Sequence, residues 1–500
     1  MDLTSPKLRI AIIFTVGFFF RMLQINHRPL WYDEAFAVLF AEKGPSAMIN
    51  GTLSTSSGVS ADVHPLGYYS VLWIWMKVFG EKPLALRGLS VIFGMLTLVV
   101  IYLLCKSMYK EKLAQLLTLG VAISPFHIHF SQEIRMYSLM AFFLILSTWS
   151  LWQAIQTRRT KWWIIFSLAS ALAQYSHNLA LFYLIPLAFT PFIFRKWQTI
   201  KPMLLSILGS ILIYTPWLVN LPGQFGKVIQ SYWITRPSVD RLVTTLLTYV
   251  TNLPIAPVWM PVALFVTFFI LFISIWQTIR AIRAHHETAV IGSWLAYLAF
   301  SPAILLFLFS QWKPVYIERG LLPSGIMFIL WAGWAVFETI LHTPIRWFVV
   351  GLFITGAILG IYQHITYRGF PYAEFEQIDR SIKLRSSTND LILHSNKLSM
   401  LPAYYYDRNL AQFYLADPPG SGADTLSPAT QQVLGLLASP SLDQVVNNAD
   451  RVWFIIYKQA ILEYKQTGAH NHPHIEWLDT HYHLDHVESW DDLLIYLYTR

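Results

Sequence analysis

The chain has 500 residues, 55% hydrophobic, 16% aromatic and 13% charged, with a formal net charge of +8 and a mean hydropathy of +0.45. Soluble globular domains carry about 25% charged residues, so these figures exclude a wholly soluble protein and indicate a polytopic membrane protein. The single cysteine, Cys105, excludes an intramolecular disulfide and a cysteine-based zinc cluster. The basic residues are scattered in short loops and form no run or basic helix, which excludes a nucleic-acid partner.

In chain order, residues 1–9 are short and weakly basic, and 8–25 are apolar enough to span without a small-x-small cleavage site, as in an uncleaved signal anchor. About 11 spans are predicted, at 9–25, 88–105, 113–130, 138–155, 162–176, 179–194, 202–218, 258–279, 290–309, 320–338 and 346–364. Basic residues mark alternate loops: Lys106, Lys110 and Lys112; Arg158, Arg159 and Lys161; Arg195, Lys196 and Lys201; Arg280 and Arg283; Arg346. The positive-inside rule makes those loops cytoplasmic, with Lys7 and Arg9. An odd number of spans then places residues 365–500 outside. This predicts a membrane domain over 1–364 and an external, periplasmic domain over 365–500, in a bacterial inner membrane.

Residues 64–80 (HPLGYYSVLWIWMKVFG) are apolar and aromatic, yet as a span they would invert every later loop. They are short for a span, and their Trp and Tyr residues suit the headgroup level. A re-entrant or interfacial helix within the first external loop, 26–87, fits better. In that loop, 51–60 (GTLSTSSGVS) is predicted to be a flexible polar tract, and Ala35 to Glu42 a short helix preceded by Asp33 and Glu34.

The predicted external loops mix acids, bases, histidines and aromatics, while the cytoplasmic ones are merely basic. The second holds Ser131, Gln132, Glu133, Arg135 and Tyr137, and the third holds His177. The fourth carries Trp233, Arg236 and an amphipathic stretch, 241–252; the fifth carries Lys313, Tyr316, Glu318 and Arg319. The tail alternates predicted strands at 391–393, 412–415, 451–457 and 493–498 with helices at 428–437 and 458–467, a small α/β domain. Its histidines (His470, His472, His474, His481, His483, His486) have no compact metal-ligand spacing and read as surface residues.

Adjacent carboxylates after a span are costly unless they sit at an interface or in a cavity. Transfer from a lipid-linked donor to a hydroxyl at a membrane surface needs a carboxylate base, cations for a phosphate leaving group and an apolar groove for the lipid. Asp33 fits the base, with Glu34 as orienting partner or second acid, because neighbouring carboxylates push their pKa values apart. Arg87, Arg135, Arg319 and Lys313 are candidates for the donor phosphate. Trp31 and Tyr32 would close the site against water, and His64, Tyr68, Glu133, Tyr137 and His177 complete the candidate substrate contacts.

The order Trp31-x-Asp33-Glu34-Ala35, His64-Pro65-Leu66-x-Tyr68-Tyr69, Leu86-Arg87-x-x-Ser90, Ser124-Pro125 and Ser131-Gln132-Glu133-x-Arg135-x-Tyr137 resembles glycosyltransferase family 39. That family holds the protein O-mannosyltransferases and bacterial relatives on the GT-C fold, with lipid A aminoarabinose transferases as cousins. The resemblance covers roughly 25–140 and implies inverting transfer of a sugar from a polyprenyl-phosphate carrier to a lipid, glycan or protein. It implies a catalytic Asp-Glu pair and interfacial helices in the first external loop. The chain departs in having Leu66 where many relatives have a second proline, and in having Gln132-Glu133 before Arg135 where many have an acid after it. No cofactor is certain; some GT-C enzymes use a divalent ion, and metal dependence stays open. The rival class is a transporter or lipid flippase, which would carry an internal repeat and helices broken at mid-membrane; no matching halves stand out. A non-catalytic scaffold would leave Asp33, Glu34 and the arginines unexplained.

Overall fold

The computed structural model describes residues 5–56, 59–230, 234–387, 389–418, 424–446 and 449–500; Trp233 lies outside them. All 11 predicted apolar segments are helical. Among the described residues, seven helices are long and apolar enough to cross a membrane, or eight when one bent pair is taken as a single span. The first and fifth segments form 17-residue helices, Pro6–Met22 and Thr160–Ser176.

Two predicted spans are broken. The segment 113–130 divides into Glu111–Ala122 and Pro125–Ser131, bent by 61°. Pro125 lacks an N–H and cannot continue the preceding helix, and the Ser124 side chain caps the new one by accepting from the His127 N–H. The carbonyl of Ala122, left without a helical partner, accepts from the buried Arg21 guanidinium at 3.0 Å. Arg21 also donates to Gly17 O at 2.8 Å and stands 2.5 Å from His127 Nδ1. An arginine within an apolar helix thereby places its two terminal nitrogens on carbonyls and an imidazole instead of a carboxylate. The segment 179–194 likewise ends one helix at Ala188 and begins a short one at Thr190, with Pro191 at the break.

The loop after the first helix folds into three helices, Tyr32–Ala41, Gly44–Leu53 and Gly67–Phe79. The first starts three residues earlier than its apolar pattern indicates, so Asp33 and Glu34 lie inside its first turn, where the helix dipole favours negative charge. The third has 13 residues, about 20 Å of helix against a hydrocarbon core of about 30 Å. It buries Tyr68, Tyr69, Leu72 and Met76 and leaves Ile74, Val78 and Phe79 more than half exposed. At that length it is too short to span, in keeping with the expectation of an interfacial or re-entrant helix. Residues 57 and 58 of the tract 51–60 lie outside the described residues, and its described residues are more ordered than their composition indicates. Residues 51–53 form the last turn of the second helix, where Gly51 packs so close to the Phe40 ring that a side chain there would stand 2.7 Å from it, and Thr55 pairs with Ser60 in a short ladder.

The tail builds a five-stranded mixed sheet in the order Gln412–Tyr414, Asp390–His394, Arg451–Tyr457, Leu493–Thr499, His483–Trp490. The first three strands are parallel and the last two pair antiparallel. The strand His483–Trp490 and the helices Phe375–Arg385, Lys397–Tyr406 and Pro473–His481 went unread in the sequence. The strand is an exposed edge with too few apolar residues to alternate. Of the tail histidines, His481 stacks on Trp477, His486 pairs with Asp485 and Glu488, and His472, buried and not at the surface as its sequence reads, caps the helix at Pro473. Among the described residues no group of three or more His, Cys, Asp or Glu could hold a metal.

The tail sits on the first loop. Leu30 N–H donates to Tyr406 Oη at 3.0 Å, Tyr405 Oη donates to Glu81 O at 2.6 Å, Arg408 pairs with Glu42 at 2.7 Å, and Thr430 Oγ1 donates to Gly51 O at 2.9 Å.

One tail carboxyl gives the domain a pH dependence. Asp379 is buried, and burial, with Asp407 adding to it, pushes its carboxyl up to about 8. Its folded pKa exceeds the unfolded value near 3.9, so the folded state binds the extra proton. Stability is fully present below about pH 4 and is lost as pH rises toward 8. Asp379→Asn is expected to raise tail stability at pH 8 by about 1–3 kcal/mol and to flatten its decline from pH 5 to 8. Melting curves of the full-length protein across that range check it; a parallel decline in both proteins would refute it.

Candidate functional site

A cavity of about 660 Å³ opens between the first-loop helices, the loop at Ile317–Arg319 and the tail. Asp33 stands in its wall. Its Oδ2 accepts from Arg319 Nη1 at 3.0 Å and lies 3.5 Å from Arg135 Nη2, while Arg135 Nη1 donates to the Asp33 carbonyl at 3.3 Å. Burial alone would raise the Asp33 pKa, but Arg135 and Arg319, with His64, outweigh it and hold the carboxyl below the usual range. Asp33 is therefore ionised at neutral pH. The Arg319 guanidinium lies 5.7 Å from the Trp31 ring and 5.3 Å from the Tyr137 ring, a geometry that favours a planar cation.

Of the residues singled out in the sequence, Trp31, Tyr32, Asp33, His64, Arg135, Tyr137 and Arg319 line this chamber together. Others do not. Glu34 is buried in a bidentate pair with Arg87, Nε to Oε1 at 3.0 Å and Nη2 to Oε2 at 2.8 Å, and its Oε1 also accepts from Ile134 N–H at 3.0 Å. The remaining Arg87 donors go to the carbonyls of Ile25, Arg28 and Pro29. No N–H of Arg87 is left for a phosphate; the pair staples the first helical loop to the helix Pro83–Met108. Glu133 also lies behind the wall, with Oε1 3.0 Å from His129 Nε2, and His129 in turn meets Asn252 Nδ2 at 2.9 Å. Lys313 lies away from the chamber, over the Trp312 ring at 5.0 Å. Tyr68 is buried in the core, and its neighbour Tyr69 faces the chamber instead, because consecutive helical residues point about 100° apart. His177 stands one layer back, edge-on to His64 with ring centres 5.5 Å apart.

The chamber also holds residues the sequence reading missed. Asp62 Oδ1 lies 2.9 Å from His64 Nδ1 and accepts from the Val63 N–H. Burial would raise its pKa, yet His64 and those hydrogen bonds hold it below the ordinary carboxylate value. A second ionised carboxylate thus faces the same space. Its position two residues before His64 was the available signal. Arg241, from the helix Asp240–Thr251 that covers the amphipathic stretch, pairs with Glu318 at 3.3 Å. Lys397, Asp424, Tyr457, Gln459 and Glu463 come from the tail, and nothing in their local sequence distinguishes them.

Residues 63–219 match the family described as dolichyl-phosphate-mannose-protein mannosyltransferase. No curated protein matches the chain in sequence. Among solved structures, apo ArnT from Cupriavidus metallidurans superposes with a TM-score of 0.61 at 12% identity, covering 98% of this chain and 97% of that one. The same protein bound to undecaprenyl phosphate gives a TM-score of 0.60 at 12% identity, again over 98% and 97%. The Archaeoglobus fulgidus oligosaccharyltransferase in complex with zinc and sulfate gives a TM-score of 0.50 at 10% identity, over 89% of this chain and 67% of that one. At such identities the superpositions show the fold alone, and the family likeness is confined to residues 63–219. The chain has the fold of the GT-C membrane glycosyltransferases, and its residues 63–219 are similar to the dolichyl-phosphate-mannose-protein mannosyltransferase family.

Proposed function

We propose that the chain transfers a sugar, with inversion, from a polyprenyl-phosphate carrier to an acceptor hydroxyl on the external face of the membrane. The observation that carries this is the ionised Asp33 in the chamber wall, flanked by two guanidiniums. The undecaprenyl phosphate bound in the ArnT neighbour supports a carrier of that class. In the reaction, the bond from the anomeric carbon to the phosphate oxygen breaks and its electron pair stays on the phosphate. The acceptor oxygen bonds to the opposite face of that carbon, and its proton passes to Asp33, the general base. Arg319 and Arg135 face the same space and stabilise the growing charge on the phosphate. Trp31, Tyr32, Tyr69 and Tyr137 exclude water that would otherwise hydrolyse the donor. Glu34 and Arg87 act as positioning residues that hold the Asp33 turn, and Lys313 has no part.

Residues 1–364 form the catalytic membrane domain in this reading, and 365–500 form an external domain. The alternating basic loops support that orientation. Ser54→Cys and Leu384→Cys, both at exposed positions, are expected to react with an impermeant maleimide in intact cells, while the native Cys105 is buried. Labelling only after permeabilisation would reverse the topology. The function itself is tested by mass spectrometry of lipid-linked sugars in a strain lacking the protein. A carrier-linked sugar should accumulate and its surface product disappear, and unchanged pools of both would refute transfer.

A further inference from the structure

The tail supplies one wall of the chamber that holds Asp33. Lys397, the first residue of the helix Lys397–Tyr406, is buried, yet its side chain lines the cavity. Its ammonium donates to the Asp424 carbonyl, lies 3.3 Å from Asp424 Oδ1, and stands 5.5 Å from the ring of Tyr32, the residue before Asp33. Beside it, from the helix Lys458–Gln466, Gln459 Nε2 donates to Glu463 Oε1 at 3.2 Å. Tyr457, edge-on to Phe370 with ring centres 5.0 Å apart, adds an aromatic surface, and both rings line the cavity.

The charges on this wall differ from those around Asp33. Lys397 is its cation, against the carboxylates of Asp424 and Glu463, so the wall is not electropositive and does not suit a phosphorylated headgroup. The guanidiniums of Arg135, Arg319 and Arg241 belong to the membrane-domain side. An extended peptide would be held by a free strand edge, whereas Lys397, Gln459 and Glu463 come from helices. A sugar hydroxyl both donates and accepts. An ammonium beside a carboxylate and an amide beside a second carboxylate answer neighbouring hydroxyls, and an aromatic ring answers the apolar face of a pyranose.

Resting on the transferase reading, we propose that the tail wall is the acceptor subsite, that it takes a carbohydrate, and that Lys397 and Gln459 contact the hydroxyls of the sugar that receives the transferred residue. The volume of about 660 Å³ falls in the range of about 300–1,000 Å³ usual for small-ligand pockets and leaves room for two sugar rings.

The test uses the full-length protein in lipid nanodiscs. Mannobiose, N,N′-diacetylchitobiose and lactose serve as probes in saturation-transfer NMR, with no donor present. At least one is expected to bind, and Lys397→Met and Gln459→Ala are each expected to weaken it about tenfold or more, with the melting temperature unchanged for Gln459→Ala. Should Lys397→Met fail to fold, the Gln459 variant decides. Binding of none of the three overturns the proposal, as does binding that both variants leave intact. The same preparations are assayed for transfer from a polyprenyl-phosphate sugar to a serine-containing peptide and to a phosphorylated glycolipid. Transfer to either without disaccharide binding overturns the carbohydrate subsite and keeps the transferase. Disaccharide binding sensitive to Lys397, with no transfer from any donor, overturns the transferase and keeps the subsite.

Discussion

Asp33→Asn is expected to lower the transfer rate by about two to four orders of magnitude, the range of a positioned general base. The protein should stay folded and able to bind donor. The amide keeps the shape of the carboxylate and can still accept from Arg319, at 3.0 Å in the native site, but it cannot take a proton. A low folded pKa makes Asp33 a weak base that is always ready, which suits a step in which the acceptor proton becomes acidic only as its oxygen bonds to the anomeric carbon. The rival is Asp62, which is also ionised and is paired with His64 at 2.9 Å; the carboxylates of Glu318, Asp424 and Glu463 that line the chamber as well are held by Arg241, Lys397 and Gln459. Asp62→Asn is expected to cost less, because Asp33 alone is flanked by the two guanidiniums that would face the leaving phosphate. Rates and melting temperatures for both variants on purified protein separate these roles. A near-native rate for Asp33→Asn with a dead Asp62→Asn would move the base to Asp62, and near-native rates for both would remove catalysis by either.

The second large effect falls on stability. Glu34→Gln leaves the Arg87 cation buried without its carboxylate, with side-chain exposures of 2% for Arg87 and 1% for Glu34 in the native pair. Removing one partner of a buried pair typically costs about 3–5 kcal/mol, whereas replacing both by apolar groups is often close to neutral. Glu34→Gln and Arg87→Met should each lower the melting temperature sharply, and the double variant should recover much of the loss. Activity should fall with the Asp33 turn that the pair holds in place, and rise again as folding recovers. A phosphate-gripping Arg87 would behave otherwise: Arg87→Met would weaken donor binding at unchanged melting temperature, and that outcome would return it to the donor site.

Much of this molecule is written in its local sequence. Apolar run length located every long helix, since a segment facing lipid or a buried bundle must satisfy its own backbone and so becomes helical. The alternation of basic loops argues against a span at the helix Gly67–Phe79, and its 13 residues are too few to cross a bilayer. Asp33, Arg135, Tyr137 and Arg319 could be suspected because polar residues flanking apolar runs need a shared reason. What the sequence could not hold is where each side chain spends its hydrogen bonds. Arg87 and Arg319 look alike in the chain, yet the backbone carbonyls of Ile25, Arg28 and Pro29 converge on Arg87 and consume it, while Arg319 stays at the chamber. Tyr68 and Tyr69 are adjacent, and helix phase alone turns one to the core and the other to the cavity. Lys397 reaches Tyr32 across some 360 residues of chain only because the tail docks on the first loop. Composition and periodicity are properties of neighbours along the chain. A site assembled from partners hundreds of residues apart depends on long-range docking, and only the tertiary structure decides that.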